Sequence, residues 1–286
     1  LLSRGLGDVY KRQLIFLTPI TLLISCDKSD GPQPDDMPMV VEGWINEGET
    51  PVVMITRAID LTAESPSLEN IVEKWCRVSV FDNGSQYVLA GKLNDSYTPS
   101  FIYTDTRLKG RVGHTYRLLI EYGDETYTAE QTILPSPKIE RIEPRKAAGS
   151  DTLHTLQLFL KDLPEGGHYR VFTRTFGKEN RFFSSFLGSG DNDTYDPAKG
   201  VSITRGIHSG YSDEHFDHYF HSGETVMVQV CSVDESVHTF WQFYDRNVSL
   251  SQNLFFTFAE NCPGNIPDAL GYWASYGTST AAVRIP

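Results

Sequence analysis

Three histidines and several carboxylates crowd into Asp213-Glu214-His215-Phe216-Asp217-His218-Tyr219-Phe220-His221. Imidazole and carboxylate are the groups that zinc and its neighbours prefer. A metal held by His215, His218 and His221 would suit a metal-dependent hydrolase. The spacing works against it. In a strand, positions i and i+3 face opposite ways; on a helix, i, i+3 and i+6 drift round the surface, leaving two of the three able to bind together. A polar, pH-sensitive surface loop accounts for the same residues without an ion. Asp191-Asn192-Asp193-Thr194-Tyr195-Asp196 is dense in oxygen, as calcium sites are. It lacks the glycine at the sixth position and the bidentate Glu at the twelfth that an EF-hand loop uses. An Asx-rich turn explains it without a ligand.

Motifs of covalent and phosphoryl chemistry are missing: there is no G-x-S-x-G, no P-loop and no H-E-x-x-H. Ser, His and Asp occur, but no spacing assembles them into a triad, so neither a catalytic residue nor a cofactor is expected. Tyr272, Trp273 and Tyr276 are candidates for stacking on a small nutrient such as a sugar. Alternation along a strand sends Trp273 opposite to Tyr272 and Tyr276, so one of those faces belongs to the core.

Cys26 is the residue with the most definite chemistry. It follows an apolar run of 11 residues, Leu14–Ile24, which has the length of a signal-peptide core. That is well short of the roughly 20 residues a membrane-spanning helix needs. Leu23-Ile24-Ser25-Cys26 resembles the bacterial lipobox, which predicts cleavage before Cys26 and a lipid on its sulfur that anchors the chain to a membrane. Residues 1–25 are then a signal segment. Within them Asp8-Val9-Tyr10-Lys11-Arg12-Gln13 looks like a translated sequencing-library transposon end, so residues 1–13 are expected to be an assembly artefact. Residues 26–38, rich in Pro and Asp, read as a lipidated flexible tether.

Of the other cysteines, Cys76, Cys231 and Cys262 show no C-x-x-C spacing, which argues against a zinc knuckle or a thioredoxin-like site. Cys231 and Cys262 could pair in an oxidising envelope; three buried thiols acting as small hydrophobes are the alternative. The net charge is -12. Residues 1–25 hold Arg4, Lys11 and Arg12 against Asp8, so the chain from Cys26 onward has 22 basic and 36 acidic residues, a net of -14. That balance repels nucleic acid.

The elements that must position these groups are mostly strands. Val40–Ile45, Pro51–Thr56 and Cys76–Phe81 have strand period, and Asn83-Gly84 gives a hairpin turn into Ser85–Leu89. Tyr116, Leu118, Ile120 and Tyr122 alternate on one face, turn at Gly123-Asp124, and return as Tyr127–Thr132. The polar stretch Leu61–Glu73 is a solvated insertion. Leu134-Pro135-Ser136-Pro137 reads as a linker, since prolines cannot continue a ladder. Beyond it, Leu153–Phe159, His168–Phe176, Arg181–Leu187, Thr225–Cys231 and Leu254–Phe258 read as strands. Leu270–Gly277 and Ala281–Ile285 look like two closing strands. One helix is expected near 235–248. Ser232 and Glu235 stand at capping-box spacing, and Val237, Phe240, Trp241, Tyr244 and Val248 make a single apolar stripe. The fold is therefore all-β: two β-sandwich-like domains, 39–137 (immunoglobulin-like or prealbumin-like) and 138–286, the second carrying the helix.

Several of these segments together resemble one family. Val40-Val41-Glu42-Gly43-Trp44-Ile45 stands soon after the lipobox, Tyr116-Arg117-Leu118 precedes Tyr127-Thr128-Ala129 and a Leu-Pro exit, and a helix spans Ser232 to Tyr244. Gly264-Asn265-Ile266-Pro267-Asp268-Ala269-Leu270-Gly271-Tyr272-Trp273-Ala274-Ser275-Tyr276 follows. The chain is similar to the Bacteroidetes lipoproteins grouped as domain of unknown function 4249. Its acidic tether also resembles the surface-export signals of Bacteroidetes lipoproteins. The resemblance implies an outer-membrane lipoprotein facing the cell exterior. It would work with a TonB-dependent receptor in binding or taking up a small nutrient, without catalysis. A structural or adhesive surface lipoprotein is the alternative.

Overall fold

The computed structural model describes residues 37–58, 68–206, 218–251 and 261–286. The signal segment, Cys26, His215 and the expected strand Leu254–Phe258 lie outside the described residues. From Met39 the chain runs through β1 (Met39–Asn46), β2 (Val52–Arg57), β3 (Arg77–Asp82), β4 (Ser85–Val88), β5 (Ala90–Leu93), β6 (Phe101–Thr104), β7 (Thr115–Tyr122) and β8 (Glu125–Thr132). After the proline-rich connection come β9 (Lys138–Lys146), β10 (Leu153–Lys161), β11 (His168–Thr175), β12 (Phe183–Asp191), β13 (Val201–Ile203), β14 (Phe220–His221) and β15 (Thr225–Val233). The helix α1 (Glu235–Ser251) and β16 (Leu270–Arg284) complete it. The protein is all-β with one helix among the described residues.

Local chemistry explains the turns. Asn83 and Gly84 take φ of 47° and 81°, the left-handed values a two-residue hairpin of the I′ type demands. The β7–β8 hairpin closes through Gly123-Asp124, with Tyr122 opposite Glu125. Of the polar insertion 61–73, the described part makes a 3-10 turn at Leu68–Ile71 and returns to the sheet. There Glu73 N donates to Ile55 O and the Glu73 carboxylate accepts from Arg57 Nε at 2.8 Å, both side chains nearly buried.

One strand organises the rest. Instead of two closing strands, residues 270–284 form β16 without a break. Its first part pairs in parallel with β1, from Val40↔Leu270 to Asn46↔Tyr276. Its second part pairs antiparallel with β15, from Ser232↔Gly277 to Thr225↔Arg284. No turn forms at Gly277 because the ladder continues through it; a Cβ there would meet Leu134 O at 1.9 Å. The resulting order is β12-β11-β15-β16-β1-β2-β6-β5. A second sheet, β4-β3-β7-β8, faces the β1 side, and a third, in which β10 pairs with β9, β13 and β14, faces the β15 side. The two expected halves, 39–137 and 138–286, thus share a sheet through residues of the second that complete the first.

Two apolar cores follow from strand alternation. One holds Val41, Val53 and Ile55 against Val78, Val80, Tyr116, Leu118 and Ile120, with Trp273 reaching in from β16. The other packs Leu156 and Leu158 against Val171, Val226, Val228 and Val230. Gly43 lies opposite Trp273 in the ladder, and a Cβ there would sit 2.9 Å from the indole ring. The indole N–H donates to Tyr116 O at 3.0 Å.

The helix docks outside both cores, where Val237 and Trp241 cover Cys231, Val233, Tyr272, Ala274 and Tyr276. Its cap differs from the expected one. Asp234, not Ser232, caps α1: Asp234 Oδ1 accepts from Val237 N at 2.9 Å. Ser232 is still in β15, and its hydroxyl donates to Leu134 O at 2.6 Å. The carboxylate two positions nearer the helix wins because Ser232 is still laddered opposite Gly277 and its hydroxyl is taken by Leu134 O. The other Asp234 oxygen accepts from Gln131 Nε2 at 2.8 Å, a tie back to the first half. Beneath the helix Arg170, fully buried, pairs with Asp245, also hydrogen-bonds Ser189, and stacks over Trp241 at 4.4 Å.

Candidate functional site

The outer faces of β1, β11, β15 and β16 are strand positions that alternate away from the two cores. Where α1 crosses them they do not close up completely. A cavity of about 530 Å³ remains, within the range of roughly 300–1,000 Å³ typical of small-molecule sites. Trp44, Tyr272 and Tyr276 form one wall, Phe172 another, and Phe240, Trp241 and Tyr244 come down from the helix. Tyr97 and the segment Asn180–Ser184 complete the rim. The rings brace one another: Phe240 lies 4.5 Å from Tyr272, and Trp241 meets Phe172 edge-on at 5.9 Å. Trp241 Nε1 donates to Tyr276 Oη at 3.1 Å, so this indole and phenol are satisfied by each other.

Glu42, Glu49, Arg174 and Arg181 are the charged residues that line this aromatic space, and two of them, Glu42 and Arg181, stand out. Glu42, on the outward face of β1, keeps much of its surface open because it looks into the cavity. Protein nevertheless surrounds its carboxyl, and this loss of bulk water raises its pKa; Arg181 and the Tyr272 hydroxyl, 3.3 Å away, pull it back only in part. Arg181 is held between two rings, 5.0 Å from Tyr97 and 4.4 Å from Phe183. Among the described residues it has no ion-pair partner, and its Nε–H is buried without an acceptor. Such a group is costly to leave unmade. Burial pushes the phenols of Tyr244, Tyr272 and Tyr276 up, so they remain neutral. Cys231 also lines the cavity, and burial raises its thiol well above the ordinary range, which suits packing and not nucleophilic attack.

The sequence-derived candidates separate here. Tyr272 and Tyr276 line the cavity, while Trp273, on the opposite face, is sealed in the first core. His215 lies outside the described residues. His218 accepts at its backbone O from Arg205 N, and its ring tilts 6.1 Å from Phe186. His221 sits in β14 opposite Leu153, its backbone N donating to Glu224 at 2.9 Å. Among the described residues, the His, Cys and carboxylate groups close enough to share one cation are instead His168, Asp191 and His238. The Asp191 turn is the Asx turn expected, with Oδ1 accepting from Thr194 N and Oγ1 at 2.7 and 2.8 Å. Cys76, Cys231 and Cys262 are free thiols; Cys262 accepts weakly from Asn247. No described helix is long and apolar enough to cross a membrane.

Sequence reasoning missed Glu42 and Arg181. The signal for Glu42 was a charge at an alternating strand position whose neighbours Trp44 and Val40 also face outward. Arg181 gave only an arginine beside Phe182 and Phe183.

The Gly264–Tyr276 stretch has a physical reading too. Asn265 Oδ1 accepts from Trp273 N at 2.9 Å and its Nδ2 donates to Trp273 O at 2.8 Å. A side-chain amide thus mimics a neighbouring strand along the edge of β16 that β1 does not cover.

A family model described as domain of unknown function (DUF4249) matches residues 28–282. A comparison with curated proteins finds no match. Among solved structures, a two fibronectin type-III domain segment from chicken tenascin is similar at 13% identity, covering 69% of this chain and 91% of that chain, with a TM-score of 0.20. A likeness of that size adds nothing to the architecture described above.

Proposed function

The chain belongs to the DUF4249 family, and from that premise we propose that it is a non-catalytic binding protein. In this reading it is an outer-membrane lipoprotein, anchored through Cys26 and facing the cell exterior, that works with a TonB-dependent receptor to capture a small nutrient. The observation that carries the binding role is Arg181, whose guanidinium is clamped between two rings beside an aromatic-walled cavity and whose buried Nε–H has no acceptor among the described residues. A free arginine of this kind takes an anionic oxygen through charge-assisted hydrogen bonds. Rings such as Trp44, Phe240 and Tyr272 stack on a flat or part-apolar ligand. Glu42, with its raised pKa, offers a hydrogen bond to a hydroxyl or amide in either protonation state. The ligand class is a small, ring-bearing nutrient with an anionic group. The lipobox and the family resemblance support the anchor and the receptor partnership.

The test uses the full-length protein purified from its own membrane in mild detergent. Native mass spectrometry is expected to find a small acidic ligand, weakened at least about tenfold in Arg181→Ala, the scale of one lost charge-assisted hydrogen bond. A TonB-dependent receptor is expected to co-purify with both forms. Unchanged ligand affinity in Arg181→Ala would remove the cavity assignment, and repeated purification without any outer-membrane receptor would remove the partnership. Acyl labelling that persists in Cys26→Ala would remove the anchor.

A further inference from the structure

Three residues far apart in sequence meet where α1 begins. His168 opens β11 and lies opposite Asp191, the last residue of β12, in the antiparallel ladder. His238 comes down onto them from the first turns of α1, where its backbone N donates to Asp234 O. The two imidazoles stack with centroids 4.3 Å apart and planes 13° from parallel. One ligand atom from each of the three side chains falls within 4.8 Å of the others.

What these groups lack is as informative as where they sit. Nδ1 of His168 and Nδ1 of His238 are both buried and have no hydrogen-bond partner among the described residues. His238 is 5% exposed, so water does not relieve it. Asp191 uses Oδ1 for the Thr194 turn, which leaves Oδ2 for another partner. On the far side of the His238 ring, Nε2 lies 2.8 Å from the Gln242 side-chain amide one turn along the helix. The facing atom is the amide Nε2, which donates to the ring; turning the Gln242 amide over puts its oxygen there to accept Nε2–H, the arrangement that frees Nδ1 for a metal.

We propose that His168, Asp191 and His238 form a binding site for a first-row divalent metal ion such as zinc, with a fourth position left for water. Two imidazoles and one carboxylate are a recurring set for such ions, with bonds of about 2.0–2.2 Å. Side-chain rotation at the three positions draws the ligand atoms together around the ion, while the β11–β12 ladder and α1 stay in place. This site shares no residue with the His215, His218 and His221 group and does not rest on the cavity reading.

The experiment titrates Co²⁺ into metal-stripped, full-length protein in mild detergent and follows visible absorption, then displaces the cobalt with Zn²⁺. One equivalent is expected to bind with a ligand-field band that zinc abolishes. His168→Ala and Asp191→Asn, which keeps the Asx turn, are expected to lose binding by at least tenfold, with the melting temperature of the metal-free protein unchanged. Gln242→Ala, at an exposed position, is expected to weaken binding about 10–100-fold. A His215→Ala, His218→Ala, His221→Ala triple variant is expected to bind as the parent does. Absence of the band in the parent protein, full binding in His168→Ala, or loss of binding only in the triple variant would each overturn the proposal.

Discussion

Over Tyr272–Tyr276 the two faces of β16 are built to different ends. Trp273 points into the first core, fully buried, its ring filling the space that Gly43 leaves and its N–H satisfied by Tyr116 O. Tyr272 and Tyr276 point the other way, toward α1, where aromatic rings leave about 530 Å³ unfilled and the buried Nε–H of Arg181 has no acceptor among the described residues. The inward face is packed as protein interiors are. The outward face keeps open space and an unmet polar group, within one residue of the same strand. Close packing was open to both faces of this strand, and only the inward one uses it throughout.

That contrast can be broken first from the inward side. Trp273→Ala removes a fully buried ring and leaves Tyr116 O without its donor. It is expected to destabilise the protein by about 3–5 kcal/mol, toward the upper end, measured by denaturant unfolding. On the outward side Asp245→Ala strands the buried Arg170 charge beneath the helix. A loss of about 3–5 kcal/mol follows from an uncompensated buried charge, and hydrogen exchange should rise across α1 while the β3–β7 ladder stays protected. An equal rise in both places would mean that the two faces are not distinct units. Asp234→Ala removes the cap and the tie to Gln131; about 1 kcal/mol is expected, with Ser232→Ala leaving the helix start intact.

The smallest effect sharpens the contrast most. Burial raises the carboxyl of Glu42 in the folded protein. A raised acid binds its proton more tightly when folded, so its stabilising contribution is complete below the unfolded value of 4.5 and is lost as pH rises through the folded value. Glu42→Gln should therefore match the parent below that range and melt slightly higher at neutral pH. A melting profile in which the variant is less stable at neutral pH would show that Glu42 is held as an anion by Arg181.

Much of the strand framework was legible in the residues, because Tyr116, Leu118 and Ile120 alternate cleanly and Asn83-Gly84 admits one kind of turn. β9 was not, since Glu140, Arg141, Glu143 and Pro144 sit on a largely exposed strand that hides its period. The continuity of β16 was also hidden. Gly277 and the small residues after it look like a break, and only the approach of Leu134 O gives the glycine another purpose. The helix was legible from its stripe, its cap two residues out of place. Of the site, the split between Trp273 and the two tyrosines followed from alternation alone. Glu42, Arg181 and the meeting of His168, Asp191 and His238 depend on which strands become neighbours across the chain, and no local spacing encodes that.

The parallel pairing of β1 with β16 also sets the order in which the protein can fold. Val40 and Leu270 are neighbours in the ladder, yet the chain must run through everything between them before the pair can close. Residues 39–137 can collapse early into hairpins, but their largest core ring, Trp273, arrives only with β16. Such distant closure is slow and leaves apolar strand edges waiting. An early-folding half without its final strand would be a sticky intermediate, and completion of both sandwiches becomes a single late event.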